Sequence, residues 1–457
     1  PPRRRRPPPS RCRRRPPRHL LGDRAVIPVV QRLRRNTELG LILLGAVVTA
    51  GLYTLASLGT TANLPVNIGP FLGVVLALLA GAHVATRRLA PASDGVLLPL
   101  AGLLNGLGYV WIARLDPDLA ALQAVWTAVG ITAYVATLVL VPKARDLDRY
   151  RYTFMLVGIA LLLLPLVPGI GKTVNGARIW LQLGPLSFQP GEFAKIVLAV
   201  FFASYLVEKR ELLGMAGNRL GPVMLPELRH FGPVLLAWGA SLLVMISERD
   251  LGSSLLFFAL FVVMLWVATE RLSYLLVGGL LFAGGALAAA TAFDHVRQRV
   301  EIWLDPWAAA TDQGFQLVQA TFALAWGGIA GTGPGLGNPD RIPLVETDFI
   351  FAAIGEELGL LGSAAVLVTF LLLVGTGLRI AIAAQAPFNK LLAAGLTAIL
   401  GIQAFIIIGG VIRVVPLTGI TLPFVSYGGS SLVANYVLLA LLIRISADNA
   451  ESELEAR

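Results

Sequence analysis

Cysteine, histidine and charge are all scarce in this chain. Its 457 residues include one cysteine, Cys12, so no disulfide can form within the chain. The four histidines, His19, His83, His230 and His295, are scattered without metal-ligand spacing, which argues against a histidine-based metal site. Charged residues make up 14% and the mean hydropathy is +0.74. A soluble domain of this size needs a far more polar surface. Segments of about ten residues with strict alternation, the mark of a membrane β-barrel, are missing too. What recurs instead is apolar runs of about 17–25 residues, each long enough to cross a bilayer. The class that follows is an all-α polytopic integral membrane protein.

About 12 spans are expected at ~20 residues each. They fall at 39–58, 69–86, 95–113, 122–141, 152–168, 192–207, 232–246, 253–268, 274–291, 349–378 with a bend near Gly359, 391–410 and 430–445. The net charge of +10 is no pointer to nucleic acid, because much of it sits in the tail PPRRRRPPPSRCRRRPPRH. Residues 1–36 are expected to form a disordered Arg/Pro-rich arm. Such an arm either meets anionic membrane lipids or is a solvated topology determinant, and it is too charged for a signal peptide. With the amino terminus cytoplasmic, the even-numbered loops carry Arg87, Arg88, Lys143, Arg145, Arg149, Arg151, Lys209, Arg210, Arg219, Arg229, Arg271, Arg379 and Lys390. That is the positive-inside pattern. One membrane domain, 37–446, then precedes an acidic cytoplasmic tail, 447–457. The polar loops 169–191, 247–252, 292–348 and 411–429 gather on the outer side, which suggests a site at the outer membrane surface. No fixed-period or inverted repeat is evident.

The loop before span six contains GIGKT, but a phosphate-binding loop would need glycine where Leu166 stands. Arg178 suits pyrophosphate or carboxylate recognition, or interfacial anchoring. Glu192 and Lys195, three residues apart, share a helix face near a membrane boundary. Ionisable groups there usually face a partner or a wet cavity; the alternative is an ion pair that fixes helix packing. Asp250 is either a helix cap or a substrate ligand. Arg297 and Arg299 stand where an anionic head group could dock. DQGFQLVQATFALAWGG reads as an amphipathic or re-entrant helix with Gln316 and Gln319 on one side, and GTGPGLGN as a flexible turn. Asp348 sits where the long loop gives way to the next apolar run, held by a rigid helix yet able to meet water. Glu356 and Glu357 lie deeper in that helix; pairing with a cation on a neighbouring helix is the preferred use of Glu357. Ser426, Tyr427 and Ser430 could donate hydrogen bonds from a re-entrant turn.

The pieces NGARIWLQLGPLSFQPGEFAKI, DLGSS, DPW…DQGFQLVQ…GTGPGLG, ETDFIFAAIGEELG and PLTGITLPFVSYGGSSL occur in this order between residues 171 and 446. Together they resemble the SEDS family, the RodA/FtsW/SpoVE membrane glycosyltransferases that polymerise lipid II, with a slight lean to the RodA branch. The resemblance implies a core of about ten helices, to which this chain adds two amino-terminal spans. Ile407 stands where the family often has Asn, and Arg413 is an unusual charge beside it. The resemblance implies that Asp348 is the catalytic acid or base. Arg178, Lys195 and Arg297 would stabilise pyrophosphate, and Glu192 would orient Lys195. Asp250, Gln316, Gln319, Glu356, Ser426, Tyr427 and Ser430 complete the candidate substrate-binding set. A divalent cation, magnesium or manganese, would share the pyrophosphate charge, with no ligand set legible. The implied partners are lipid II, undecaprenyl-linked glycan and a class B penicillin-binding protein, since the chain shows no Ser-x-x-Lys signature. A lipid II flippase and a non-catalytic scaffold are the rival readings.

Overall fold

The computed structural model describes residues 20–64, 68–174, 177–183, 186–214 and 250–455, with isolated positions between 215 and 249. Side chains are described from Asn36 onward, apart from those at 68–72, 174, 183, 186, 212–214, 219–220 and 223–224. The long helices are α1 (Leu20–Thr61), α2 (Ile68–Leu89), α3 (Leu97–Leu115), α4 (Pro117–Leu140), α5 (Arg151–Leu163) and α6 (Gly191–Gly214). They continue as α7 (Leu251–Thr269), α8 (Leu272–Ala292), α11 (Ile350–Ala383), α12 (Pro387–Val411) and α13 (Gly429–Glu455), with the shorter α9 (Asp294–Leu304) and α10 (Phe315–Gly327) between α8 and α11. Each expected span except 232–246, which lies outside the described residues, coincides with one of the long helices. Among the described residues nine stretches are long and apolar enough to cross a membrane.

Burial separates the centre of the bundle from its rim. The apolar windows of α13 and α12 are 89% and 78% buried, against 11–17% for those containing α1, α5 and α8. α13 packs along α4, α11 along α12 and α1 along α3. Polar ties lock the centre: Asn105 Nδ2 donates to Thr127 Oγ1 (3.2 Å) and to the Tyr436 hydroxyl (3.0 Å), joining α3, α4 and α13. Arg444 donates to the carbonyls of Leu89 (2.7 Å) and Leu138 (2.6 Å), a cation at the carboxyl ends of α2 and α4 where the helix dipole favours it. At the same end Asp94 N–H meets Ser446, Ala144 N–H meets Asp448, and Arg379 pairs with Asp94. The basic connectors therefore gather at one end of the bundle.

Three expectations change. The arm expected to be disordered through residue 36 is helical from Leu20, and residues 1–19 lie outside the described residues. The acidic residues expected as a tail at 447–457 are helical, because α13 runs on to Glu455. The loop 169–191 holds a small antiparallel sheet, β1 (Gly171–Val174), β2 (Ala177–Leu183) and β3 (Leu186–Phe188), paired Gly171↔Leu181 and Leu181↔Phe188. Its strands are too short for a period-2 pattern to stand out from the loop around them.

The bend expected near Gly359 is a break in α11, with Gly359 at φ 66° and ψ −162°. A Cβ there would lie 2.4 Å from Gly331 N and 2.5 Å from Ile329 O, so glycine is required by both conformation and space. The groups the break frees are satisfied by another segment. Thr332 N–H and Gly333 N–H donate to the Glu356 and Glu357 carbonyls, and Leu360 N–H and Leu361 N–H donate to the Gly328 and Ile329 carbonyls. Irregular backbone at membrane depth survives only when protein supplies such partners.

Candidate functional site

Asp348 ends a run of turns and lies two residues before α11. Three elements converge on it. The first is its own turn, where Thr347 Oγ1 and Asp348 N–H both donate to the Leu344 carbonyl. The second is the segment 412–428 between α12 and α13. Tyr427 N–H donates to the Glu346 carbonyl at 2.9 Å, and Ser426 Oγ donates to the Thr347 carbonyl while accepting from Leu422 N–H. The third is α9, from which Arg299 Nη1 donates to the Leu417 carbonyl at 2.9 Å.

These contacts put Gly419 in the middle. Its φ is +76°, and a Cβ there would sit 3.7 Å from Asp348 Oδ2 and 4.0 Å from Arg299 Nη1. A side chain would intrude between acid and cation; glycine leaves a notch. Asp250 closes the cluster. It caps α7 by accepting from Gly252 N–H (2.9 Å) and Ser253 N–H (3.2 Å), and its other oxygen takes the Ser253 hydroxyl. The same turn packs on Thr418 and Ile420, which a Cβ at Gly252 would strike at 3.2 and 2.4 Å.

Burial pushes the Asp348 carboxyl up to about 6, and Glu346 and Asp250 add to the rise; the Thr347 hydrogen bond and the Arg299 charge hold it down. Burial also raises Asp250, against its cap bonds and Arg299. A carboxylate near 6 is more basic than a free one yet mostly ionised at pH 7, which suits a group that accepts a proton.

The other expected residues divide. Lys195 is 1% exposed, its ammonium donating to Glu192 Oε2 (2.6 Å) and Gln403 Oε1 (2.8 Å), while Gln403 donates onward to the Thr421 carbonyl (2.9 Å). This knot ties α6 to α12 and to the segment below Gly419; it does not bring Lys195 to an open surface. Ser430 Oγ accepts from Gln189 N–H at 3.0 Å, and so holds backbone. Arg178 lies in β2 and donates to the Val167 carbonyl. Arg297 does not reach the notch: it points outward and pairs with Asp294 and Glu301 on its own helix. Arg299 takes the place expected of it, because two residues along an α-helix turn a side chain to nearly the opposite face.

Gln316 Nε2 donates to the Pro343 carbonyl at 3.1 Å. Gln319 and Glu356 line a separate cavity of about 180 Å³ between α10, α11 and the segment 332–342. Below it, Glu357 accepts from Arg114 Nε (2.6 Å) and Gly335 N–H (3.0 Å), and Arg114 also reaches Asp340 (3.0 Å) and the Gly337 carbonyl (2.9 Å). Sequence reasoning passed over Gln403 and Gly419. An amide alone in an apolar span was the only signal for Gln403, and nothing marked Gly419 among neighbouring glycines.

Arg413, the unusual charge, also has a use. It donates to the carbonyls of Trp303 and Leu304 at the carboxyl end of α9, and Trp303 Nε1 donates back to its carbonyl at 3.0 Å. Among the described residues no three or more His, Cys, Asp or Glu converge on one point.

The model of the FtsW/RodA/SpoVE family, described as a cell cycle protein, matches residues 116–451. A peptidoglycan glycosyltransferase RodA from Mycobacterium tuberculosis H37Rv is 46% identical over 425 residues, with 90% of each chain covered. Because 90% of this chain aligns, the likeness reaches well before residue 116, into the helices that precede the family match. A probable peptidoglycan glycosyltransferase FtsW from Geobacter sp. M18 is 38% identical over 288 residues, covering 63% of this chain and 76% of its own. Among solved structures, a chain from a peptidoglycan synthase complex that coordinates polymerization and crosslinking superposes with a TM-score of 0.64 at 29% identity, covering 78% of this chain and 98% of that one. Thermus thermophilus rod shape determining protein RodA gives 0.57 at 28%, covering 78% and 97%.

Proposed function

This chain belongs to the FtsW/RodA/SpoVE family, and from that premise we propose that it polymerises lipid II into glycan strands at the outer face of the cytoplasmic membrane. It is a multi-pass membrane peptidoglycan glycosyltransferase, and the 46% identity to mycobacterial RodA favours the elongation and shape role over division. Both termini are cytoplasmic: the basic connectors gather at the end of the bundle opposite Asp348.

The observation that carries the mechanism is the notch at Gly419, which keeps a raised carboxylate and a guanidinium close without closing one on the other. The acceptor's 4-hydroxyl oxygen attacks the anomeric carbon of the growing chain. The new glycosidic bond forms as the bond from that carbon to the pyrophosphate oxygen breaks. The hydroxyl proton passes to Asp348, and undecaprenyl pyrophosphate leaves with its negative charge set against Arg299. Ser426 and Tyr427 fix the turn that aims Asp348, and Asp250 fixes the α7 terminus beside it. A divalent cation, where the reaction uses one, would arrive on the pyrophosphate, as such ions commonly do. A class B penicillin-binding protein is the partner that would cross-link the strands, in keeping with the synthase complex to which the fold is similar.

The test is lipid II polymerisation by purified protein, alone and with its transpeptidase. Wild type makes strands, and Asp348→Asn loses about 100- to 10,000-fold of the rate while melting like wild type. Normal strands from a folded Asp348→Asn protein would remove Asp348 from the reaction. No strands from wild type, with lipid II still crossing a vesicle bilayer, would favour the flippase.

A further inference from the structure

The cavity of about 180 Å³ between α10, α11 and the segment 332–342 is not the Asp348 notch. Its walls include Gln319, Trp326, Thr332, Asn338, Arg341 and Glu356. Three polar groups there keep hydrogen-bonding capacity that the fold does not use. The side chains of Gln319 and Arg341 make no hydrogen bond or ion pair among the described residues. Glu356 is 6% exposed, with Oε1 accepting from Asn338 N–H at 2.8 Å and its second oxygen free of any such partner. Trp326 is 73% exposed, and beside it Phe322 stacks edge-on with Trp307 at 5.6 Å. The floor is rigid, because Arg114 and Glu357 clamp the segment 335–340 from below.

The chemistry selects the occupant. A carboxylate and an amide offer acceptors and donors together, the pattern that matches hydroxyl groups, which both give and receive hydrogen bonds. An aromatic ring beside them offers an apolar face to the C–H face of a pyranose. An anion set deep in the cavity would meet the Glu356 carboxylate, with Arg341 the one cation among the described lining residues. The volume falls below the ~300–1,000 Å³ of clefts for drug-sized ligands, and suits a single sugar ring. Glu356 lies six residues into α11, about 9 Å along the axis from its first residue.

We propose that this cavity is a saccharide subsite. It holds one ring of the glycan remote from the reacting bond, with Trp326 against the ring, Gln319 and Glu356 on its hydroxyls, and Arg341 at the rim for an acidic substituent. It rests on the glycosyltransferase reading and adds to it a device that keeps the strand bound between additions.

The experiment uses the full chain with its transpeptidase and two readouts. The first is saturation-transfer NMR with a lipid-free peptidoglycan tetrasaccharide, competed separately by inorganic pyrophosphate. The second is the length distribution of strands made from lipid II. Trp326→Ala and Gln319→Ala are expected to weaken tetrasaccharide binding about tenfold and to shorten strands several-fold, with Trp326→Phe restoring most of both. Wild-type strand lengths and wild-type binding in folded Trp326→Ala and Gln319→Ala proteins would overturn the subsite. Displacement by pyrophosphate that persists in Arg299→Ala, whose notch has lost its cation, would overturn its identity as a sugar site. A wild type that binds the tetrasaccharide but makes no strands would sink the glycosyltransferase reading and leave the subsite standing.

Discussion

Two of the places where this molecule sets a carboxylate beside a cation are built in opposite ways. At Glu192–Lys195 the charges meet at 2.6 Å, Gln403 Oε1 accepts a further hydrogen bond from the ammonium, and the lysine is 1% exposed. At Asp348–Arg299 the charges feel each other without bonding, Gly419 leaves space between them, and the guanidinium is steadied by the Leu417 carbonyl. The first arrangement has spent its charges on holding α6 to α12. The second has kept them available. Pairs of the first kind are ruinous to break and nearly indifferent to remove entire; groups of the second kind cost the fold little and the reaction much.

That contrast can be broken by substitution. The largest effect on rate belongs to Asp348→Asn, already set at about 100- to 10,000-fold, with the melting temperature held or slightly raised because a desolvated carboxylate is gone. Lys195→Met should act the other way. It strands Glu192 in the interior at a cost of about 3–5 kcal/mol, read as a fall in melting temperature and yield, and adding Glu192→Gln should recover much of the loss. A Lys195→Met protein that melts normally but cannot polymerise would erase the distinction. Arg299→Ala should slow polymerisation about 100- to 1,000-fold without a comparable loss of stability.

The pH profile sharpens the comparison next. With its carboxyl raised to about 6, Asp348 holds its proton to higher pH than an ordinary aspartate, so kcat/KM should fall as pH drops through about 6. Arg299→Gln removes a charge that favours the ionised form, so the falling limb should shift to higher pH. A limb that stays in place in Arg299→Gln would mean the two groups are not coupled. The smallest effect is expected at Arg413→Ala, about 0.5–1 kcal/mol, from losing a cation at the carboxyl end of α9.

The long helices were legible because crossing a bilayer demands a length of apolar sequence that little else in the chain imitates. Asp348 stood out as the candidate from its place in a run of motifs. What could not be read is which of two arginines faces it. Arg297 and Arg299 carry the same chemistry two positions apart, and only the packing of α9 against the segment at Leu417 decides between them. The second partner of Lys195 was hidden for a similar reason, since Gln403 lies about two hundred residues away in a mostly apolar helix. The strands at 171–188 escaped because their pairing is set by register across tight turns rather than by composition.

The break in α11 bears on how the chain is assembled. Its exposed carbonyls and amides at residues 356–361 are completed by the segment 328–333, which is made about thirty residues earlier. During synthesis the mending strip is therefore already present when the flawed helix emerges, and the second half of that helix need never face lipid with its backbone undressed. A permuted chain that delivered the strip last would have to insert α11 unmended, and would be expected to lodge in the membrane as a misassembled intermediate.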